Sequence, residues 1–421
     1  GADLRAADVL LAAPPTPERG MIAQSPITKS LSGDEVPGYL ADRPVLRELV
    51  DPATLTVSEV GDGNLNLVFV CADAAGRRLV LKQALPYVRL VGPEWPMTEE
   101  RATREAAALR AHGALSDNVC RLIDFDPERY VLALEDLSDH EVFRTRLNAG
   151  GAHAVVAELL ADYVADVAFG TSFLALGEEE FRRRAAAAVN PELCAITEDL
   201  ILTEPYLGAE RNSVRPSAAA AVERLQADRQ WVDAALALKH RFLTTQEALL
   251  HGDLHTGSVF VRGSAGTGDF SVKAFDAEFA CYGPVGFDIG LLWANMLFAG
   301  VRAAVLREPD RGRSLAETVP QSWERFCSRL TGHWPTRHSP GKYPDSYLHW
   351  WLGRIQRDAF GFAGCEIARR TIGLAKVSDL ESLDDAGYAA AAETMLQLSR
   401  LLLVEQDSLT FEQLIRAAVP G

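Results

Sequence analysis

His251-Gly252-Asp253-Leu254-His255-Thr256-Gly257-Ser258, followed by Phe275-Asp276-Ala277-Glu278, is the part of the chain from which the fold is read. Val259, Phe260 and Val261, and again Val272 to Phe275, suit short strands beside these acidic residues. Asp253, Asp276 and Glu278 therefore fall on loops between short strands, where a rigid scaffold can aim carboxylates at one point. One carboxylate to engage a hydroxyl and others to hold magnesium is what metal-assisted phosphoryl transfer asks for. The rest of the chain must then supply a nucleotide site and an acceptor site.

The whole chain sets the outer limits. Its 421 residues suffice for one large or two moderate domains, each with its own core. Apolar residues make up 48% and charged ones 24%, ordinary values for a globular protein. A net charge of -16 with no offsetting basic run argues against DNA or RNA as the main partner. Cys71, Cys120, Cys194, Cys281, Cys327 and Cys365 are far apart and form no C-x-x-C pair, which predicts free, packed thiols. No apolar run approaches the roughly 18 residues of a spanning helix. Val9 to Ala13 is too short for a signal-peptide core and follows Asp3 and Asp8. A disordered extension over residues 1–30 and a cytoplasmic location are the expectations.

From 55 to 135 the chain reads as strands with one helix. Leu55 to Val60, Leu65 to Cys71, Arg78 to Lys82, Val119 to Phe125 and Tyr130 to Leu134 are short and rich in Val and Leu. Thr98 to His112 is helical, with Thr98 as cap and Arg101 and Arg104 on its polar side. A five-stranded antiparallel sheet with an inserted helix is the simplest assembly. Beyond about residue 140, Ala- and Leu-rich segments with helical periodicity cover 152–170, 178–189, 217–244, 285–300, 318–331, 345–375 and 381–404. Thr410-Phe411-Glu412-Gln413 is a capping-box pattern that opens a last short helix. The expected layout is α+β and bilobal: a β-rich, nucleotide-binding N-lobe over 31–137 and a helical, catalytic C-lobe over 138–421.

Several residues carry chemistry in this layout. Gly61, Gly63 and Asn64 lie in a turn between the first two strands, where glycines let backbone amides approach phosphates, although a plain hairpin turn has the same look. The turn is not a dinucleotide fingerprint, because Asn66 replaces the third glycine, and no P-loop string occurs. Lys82 closes an apolar strand; it is either a solvated edge residue or a phosphate-contacting lysine oriented by a helix carboxylate. Glu105 suits that task, with Glu99 and Glu100 as the alternatives. Glu135 and Leu137 follow the last strand and either offer backbone groups to adenine or form a plain linker.

His251 to Ser258 has the shape of a kinase catalytic loop, with Asp253 in the base position. Ser258 replaces the expected asparagine, so a metal contact should move, and Glu278 of the D-x-E string can supply it. A zinc pair made by His251 and His255 is disfavoured, because Gly252 and Gly257 oppose the helix it would need. Arg369 and Arg370 are adjacent on a helix and diverge by about 100°, so at most one is expected to face a site. A salt-bridged or solvated pair is the plain alternative.

With these motifs in order, the chain resembles the methylthioribose kinase family, within the protein-kinase-like group that includes aminoglycoside and choline kinases. The resemblance spans about residues 35–405 and is carried by GDGNLNLVF (61–69), KQALPYVR with GPEWPMT (82–98) and NPELCAITEDLILTEPY (190–206). HGDLHTGS (251–258), DAEFACYGPVGFDIG (276–290) and GFAGCEIARRTIGLA (361–375) complete it. It implies ATP-dependent phosphorylation of the anomeric hydroxyl of 5-methylthioribose in methionine salvage, with Mg2+ as cofactor and a homodimer as the usual assembly. It implies Asp253 as base or acceptor-orienting residue, Asp276 and Glu278 as magnesium ligands and Lys82 as the nucleotide-phosphate lysine. Glu135 and Leu137 fall on the adenine-binding linker, Arg369 and Arg370 on substrate and transition-state contacts, and Trp95 on a loop near nucleotide and substrate. Two other outcomes stay open from the residues alone: a kinase for a different small acceptor such as 5-deoxyribose or an aminoglycoside, and a catalytically silent ATP-binding module.

Overall fold

Alternating apolar stretches broken by Asp- and Gly-containing turns build the first part of the chain, and long apolar periodic stretches build the second. The computed structural model describes residues 29–61, 65–87, 89, 92 and 94–420. The extension expected over 1–30 lies outside the described residues but for its last two positions, as do Gly63 and Asn64. The chain divides into two compact units: one runs to Ala114 and resumes over Cys120–Asp139, and the other comprises Leu115–Val119 and everything from His140 onward.

The first unit opens with α1 (Val36–Ala41) and α2 (Pro44–Leu49), continues through β1 (Thr56–Glu59), β2 (Asn66–Ala72), β3 (Arg78–Ala84) and α3 (Arg101–Gly113), and ends with β4 (Leu122–Asp126) and β5 (Val131–Leu134). The strands form one antiparallel sheet in the order β1-β2-β3-β5-β4. Leu67, Phe69, Cys71, Leu79, Leu81, Val131 and Ala133 turn one face of this sheet onto Val36, Leu40 and Leu46, which makes the unit's core. Period-two alternation of apolar residues is what puts them on that face.

Three expectations need correction here. Helix α3 starts at Arg101, because the Thr98 hydroxyl accepts from the Glu100 N–H at 3.2 Å in a turn that precedes the helix. Arg101 is fully buried, away from any polar side, and donates to the carbonyls of Leu85 (2.8 Å), Thr98 (2.6 Å) and Leu65 (3.2 Å). A guanidinium with this many acceptors can be buried because its donors are satisfied. Val119 does not enter β4; it forms a parallel bridge to Ala274 of the second unit, so the chain visits that unit briefly before returning.

The second unit carries β6 (Glu141–Val142), α4 (Phe143–Asn148), α5 (Ala154–Gly170), α6 (Glu178–Ala187), α7 (Pro191–Leu200), α8 (Pro216–Gln226) and α9 (Arg229–Thr244). There follow β7 (Ala248–Leu249), β8 (Val259–Arg262), β9 (Ser271–Ala274) and β10 (Tyr282–Gly283), then α10 (Gly286–Val305), α11 (Pro309–His333), α12 (Asp345–Thr371), α13 (Asp385–Val404) and α14 (Phe411–Ala418). The periodic stretch 217–244 is two helices, because Asp228 caps the second by accepting from the Gln230 N–H at 2.9 Å. Helix α11 begins nearer 309 than 318 and runs through Pro320. Thr410 and Gln413 close the expected capping box.

Trp231, Phe287, Leu291, Phe362, Cys365 and Leu403 anchor the core in which α9, α10, α12 and α13 meet. Helix α10 is long and apolar enough to cross a membrane, yet 83% of its apolar window is buried in this fold. All six cysteines are free thiols, and Cys71, Cys120, Cys281 and Cys365 are buried.

Candidate active site

The loop from His251 to Ser258 leaves β7, turns sharply and enters β8. Its start is pinned from α10, where the buried Asp288 carboxylate accepts the N–H groups of His251 (2.7 Å) and Gly252 (2.9 Å). Gly252 has φ +84, and a Cβ there would stand 2.3 Å from the Phe279 carbonyl oxygen. Only glycine tolerates both the left-handed backbone and that approach, and the D-x-E turn packs against the loop as a result.

His251 ties the two segments together. Its Nε2 is 2.9 Å from the Phe275 carbonyl, and its Nδ1 accepts the Asp253 N–H at 3.3 Å. Ser258 donates its hydroxyl to the Asp253 carbonyl at 2.7 Å and accepts the His255 N–H at 3.0 Å. The serine that replaces asparagine is thus used to hold the loop's own shape.

Asp276 sits in the left-handed region at φ +71 and opens a single 3-10 turn, Ala277–Phe279, that carries the buried Glu278. Aspartate is among the few residues that accept this backbone, and such strain collects at functional sites. Asn190, ahead of α7, clamps the turn from the other side by donating to the carbonyls of Glu278 (2.9 Å) and Ala280 (3.1 Å). Among the described residues no group of three or more His, Cys, Asp or Glu side chains is gathered for a metal. Asp276 and Glu278 could therefore offer two carboxylates. Magnesium needs no more than one or two carboxylates when phosphates and waters complete its shell, so the donor set fits it.

Asp253 is the open end of a buried charge network. Its side chain keeps 22% of its surface exposed, Arg369 keeps 11%, Arg370 6% and Glu366 none. Arg369 Nη1 lies 3.2 Å from Asp253 Oδ1 and also 3.2 Å from Glu366 Oε2, while Arg370 Nε lies 2.6 Å from Glu366 Oε1. Both arginines converge on the Glu366 carboxylate, and Arg369 is the one of the two that also touches Asp253. Burial works against an ionised Asp253, yet His255, Arg369 and Arg370 hold its carboxyl well below the usual range. His255 is itself pushed down to about 4 by burial, against the pull of Asp253. Its ring is therefore neutral at pH 7, so His255 acts on Asp253 through its hydrogen bond while the arginines supply the positive charge.

In the first unit, Lys82 Nζ lies 2.8 Å from the Glu105 carboxylate, and both side chains are buried. Glu105 is thus the partner, whereas the other candidate Glu100 accepts the Tyr130 hydroxyl at 3.0 Å. The Glu135 N–H donates to the Arg121 carbonyl at 3.0 Å and extends the β4–β5 pairing, with Leu137 buried just beyond. Gly61 is exposed in its turn, and Trp95 is half-buried with its N–H on the Gly92 carbonyl at 3.1 Å.

Known proteins resemble this chain in sequence. The phosphotransferase enzyme family model matches residues 56–326. Methylthioribose kinase of Yersinia pseudotuberculosis serotype O:1b (strain IP 31758) is 40% identical over 370 residues, covering 85% of this chain and 88% of the relative. The chain belongs to the methylthioribose kinase family. Methylthioribose kinase of Citrobacter koseri is 41% identical over 345 residues, covering 80% of this chain and 85% of that protein. Among solved structures, choline kinase from Cryptosporidium parvum Iowa II aligns over 89% of this chain and 97% of that one, with 12% identity and a TM-score of 0.47.

Five residues of this methylthioribose kinase family member were not legible as parts of the site in its sequence: Asn190, His255, Asp288, Asn295 and Glu366. Asn190, His255, Asp288 and Glu366 do lie in the strings that carry the family resemblance. Asn295 lies in none of them, and only its position on the buried face of α10 marks it.

Proposed function

We propose that the protein transfers the γ-phosphoryl group of ATP to the anomeric hydroxyl of 5-methylthioribose, giving 5-methylthioribose 1-phosphate in methionine salvage. The observation that carries the chemistry is Asp253, ionised, partly open, and gripped by a buried arginine. The acceptor is taken from the relatives, which are named for it.

A carboxylate held this far below its ordinary range is a weak base. Asp253 therefore orients the acceptor hydroxyl and leaves the proton to depart late, which suits an anomeric hydroxyl because it is more acidic than an ordinary alcohol. Little covalent chemistry is asked of the protein in a loose phosphoryl transfer, so position and charge dominate. Arg369 and Arg370 face the acceptor and the phosphoryl oxygens as charge develops. Bound magnesium would neutralise phosphate charge, with Asp276 and Glu278 as its protein ligands. Lys82, oriented by Glu105, contacts the nucleotide phosphates, together with the turn containing Gly61, Gly63 and Asn64. Glu135 and Leu137 offer backbone groups to adenine, and Trp95 belongs to a loop near nucleotide and substrate. A cytoplasmic homodimer is the assembly we infer; a reducing compartment suits six unbridged thiols.

The test is ADP release with 5-methylthioribose, 5-deoxyribose and an aminoglycoside panel, on wild type and Asp253→Ala. We expect turnover with 5-methylthioribose alone, and its loss by orders of magnitude in the variant with ATP binding kept. No turnover of 5-methylthioribose by the wild type would end this proposal. In Glu278→Gln the expected loss is in magnesium-dependent ATP affinity, and an ordinary magnesium titration would remove its assigned role.

A further inference from the structure

We propose that Glu366 is a positioning residue for the reaction: it holds Arg369 against Asp253 and gathers Arg370 beside it, and Asn295 and Arg144 anchor it. The inference rests on the reading of Asp253 as the residue that orients the acceptor.

Adjacent arginines on a helix leave it about 100° apart, so their directions alone do not bring both to one place. Glu366 lies three and four residues before them, on the face between their two directions. It takes one arginine on each oxygen, Arg370 on Oε1 and Arg369 on Oε2. Its own orientation is set from α10, where Asn295 Nδ2 lies 3.3 Å from Glu366 Oε1. Asn295 is held in turn: its Oδ1 accepts from Arg144 Nη2 at 2.5 Å, and its Nδ2 also donates to the Leu291 carbonyl at 2.8 Å. Arg144 completes the chain through an ion pair with the buried Asp379 at 3.1 Å.

Charge gives Glu366 its consequence. The cluster holds three cations (Arg144, Arg369, Arg370) and three anions (Asp253, Glu366, Asp379), with His255 neutral. Arg369 Nη1 is shared equally between Glu366 and Asp253, at 3.2 Å from each. Without the Glu366 charge, Arg369 is left to Asp253 and Arg370 loses the partner on its Nε. Arg369 Nε and Arg370 Nη2 are buried donors with no protein partner among the described residues. Those atoms would be free to meet acceptor or phosphoryl oxygens only while Glu366 holds the remaining arms. An internal ion pair of purely structural value would have no reason to stand one atom from the open carboxylate.

The experiment is steady-state kinetics on Glu366→Gln, which keeps size and one acceptor oxygen but removes the charge. We expect kcat to fall about 100-fold, the effect of misplacing reacting groups by around 1 Å, with KM for ATP unchanged. Wild-type kcat, or a rise in KM for ATP as large as the loss in kcat, would overturn the proposal. If Glu366→Gln gives no cooperative melting transition, Glu366→Asp decides instead. It keeps the charge but draws the carboxylate back by one methylene, so it cannot reach both arginines. The expected loss in kcat is then about tenfold with KM for ATP unchanged, and wild-type kcat would again overturn the proposal. Asp253→Ala is run beside them. Normal turnover there would overturn the site reading, whereas an inactive Asp253→Ala beside a wild-type Glu366→Gln overturns the positioning role alone.

Discussion

Arg369 Nη1 stands 3.2 Å from Asp253 Oδ1 although 116 residues of chain separate them. That one guanidinium nitrogen bridges Asp253 and Glu366, at a reach that the shorter lysine side chain does not reproduce. In Arg369→Lys we expect kcat to fall about 100-fold with ATP binding preserved. Stopped-flow or coupled ADP assays beside nucleotide titration check this, and an unchanged kcat would show that a point charge suffices.

Lys82 and Glu105 form a buried pair at 2.8 Å. Deleting one partner breaks a buried ion pair, a change that costs up to about 3–5 kcal/mol. Glu105→Ala should therefore lower the urea midpoint strongly and weaken ATP binding in the same variant. A loss of stability with normal ATP affinity would mean that Lys82 does not touch the nucleotide.

Gly290 lets α10 and α12 meet backbone to backbone: a Cβ there would lie 2.7 Å from the Ala359 carbonyl oxygen and 2.8 Å from the Ala363 nitrogen. Backbone atoms of a packed helix cannot step aside cheaply, so Gly290→Ala should cost about 1–3 kcal/mol or more. Gly353, exposed on α12 with nothing within 4 Å of such a Cβ, is the control. Gly353→Ala should be neutral or stabilising by up to about 1 kcal/mol, because alanine has the better helix propensity. Denaturant melts of the two variants test the contrast.

His255 is held down to about 4, from an ordinary value of 6.5, chiefly by burial. Between those two values the unfolded chain takes up a proton that the folded one refuses, so stability rises with pH across that window. The contribution is fully present above 6.5 and is lost as pH falls towards 4. In His255→Gln the melting temperature should fall less steeply over that interval than in wild type. An identical slope would mean that the ring is protonated in the folded protein.

Local chemistry explains what could be read in advance. Period-two runs of Val and Leu marked the strands from Leu67 to Leu134, and the box at Thr410 and Gln413 marked the last helix, because each depends on residues a few positions apart. The same held for the loop at His251 to Ser258, where the glycines excluded a helix. Boundaries were less legible. Thr98 has the chemistry of a cap for α3, but its hydroxyl is taken by the turn before it. Arg101 looked solvent-facing by type, yet four backbone and side-chain acceptors from β2, β3 and their flanks draw it inside.

The sequence by itself determined the elements, the presence of Asp253, Asp276, Glu278 and the arginine pair, and the family to which these strings belong. Tertiary structure decided how they meet. Asp288 reaches the loop across 36 and 37 residues, Asn190 clamps the D-x-E turn across 88, and Asn295 meets Glu366 across 71. Propensity and periodicity act over one or two turns of chain, whereas such contacts exist only once helices pack closely enough to bury their charges in pairs. That packing is what brings Arg369 of α12 up to Asp253.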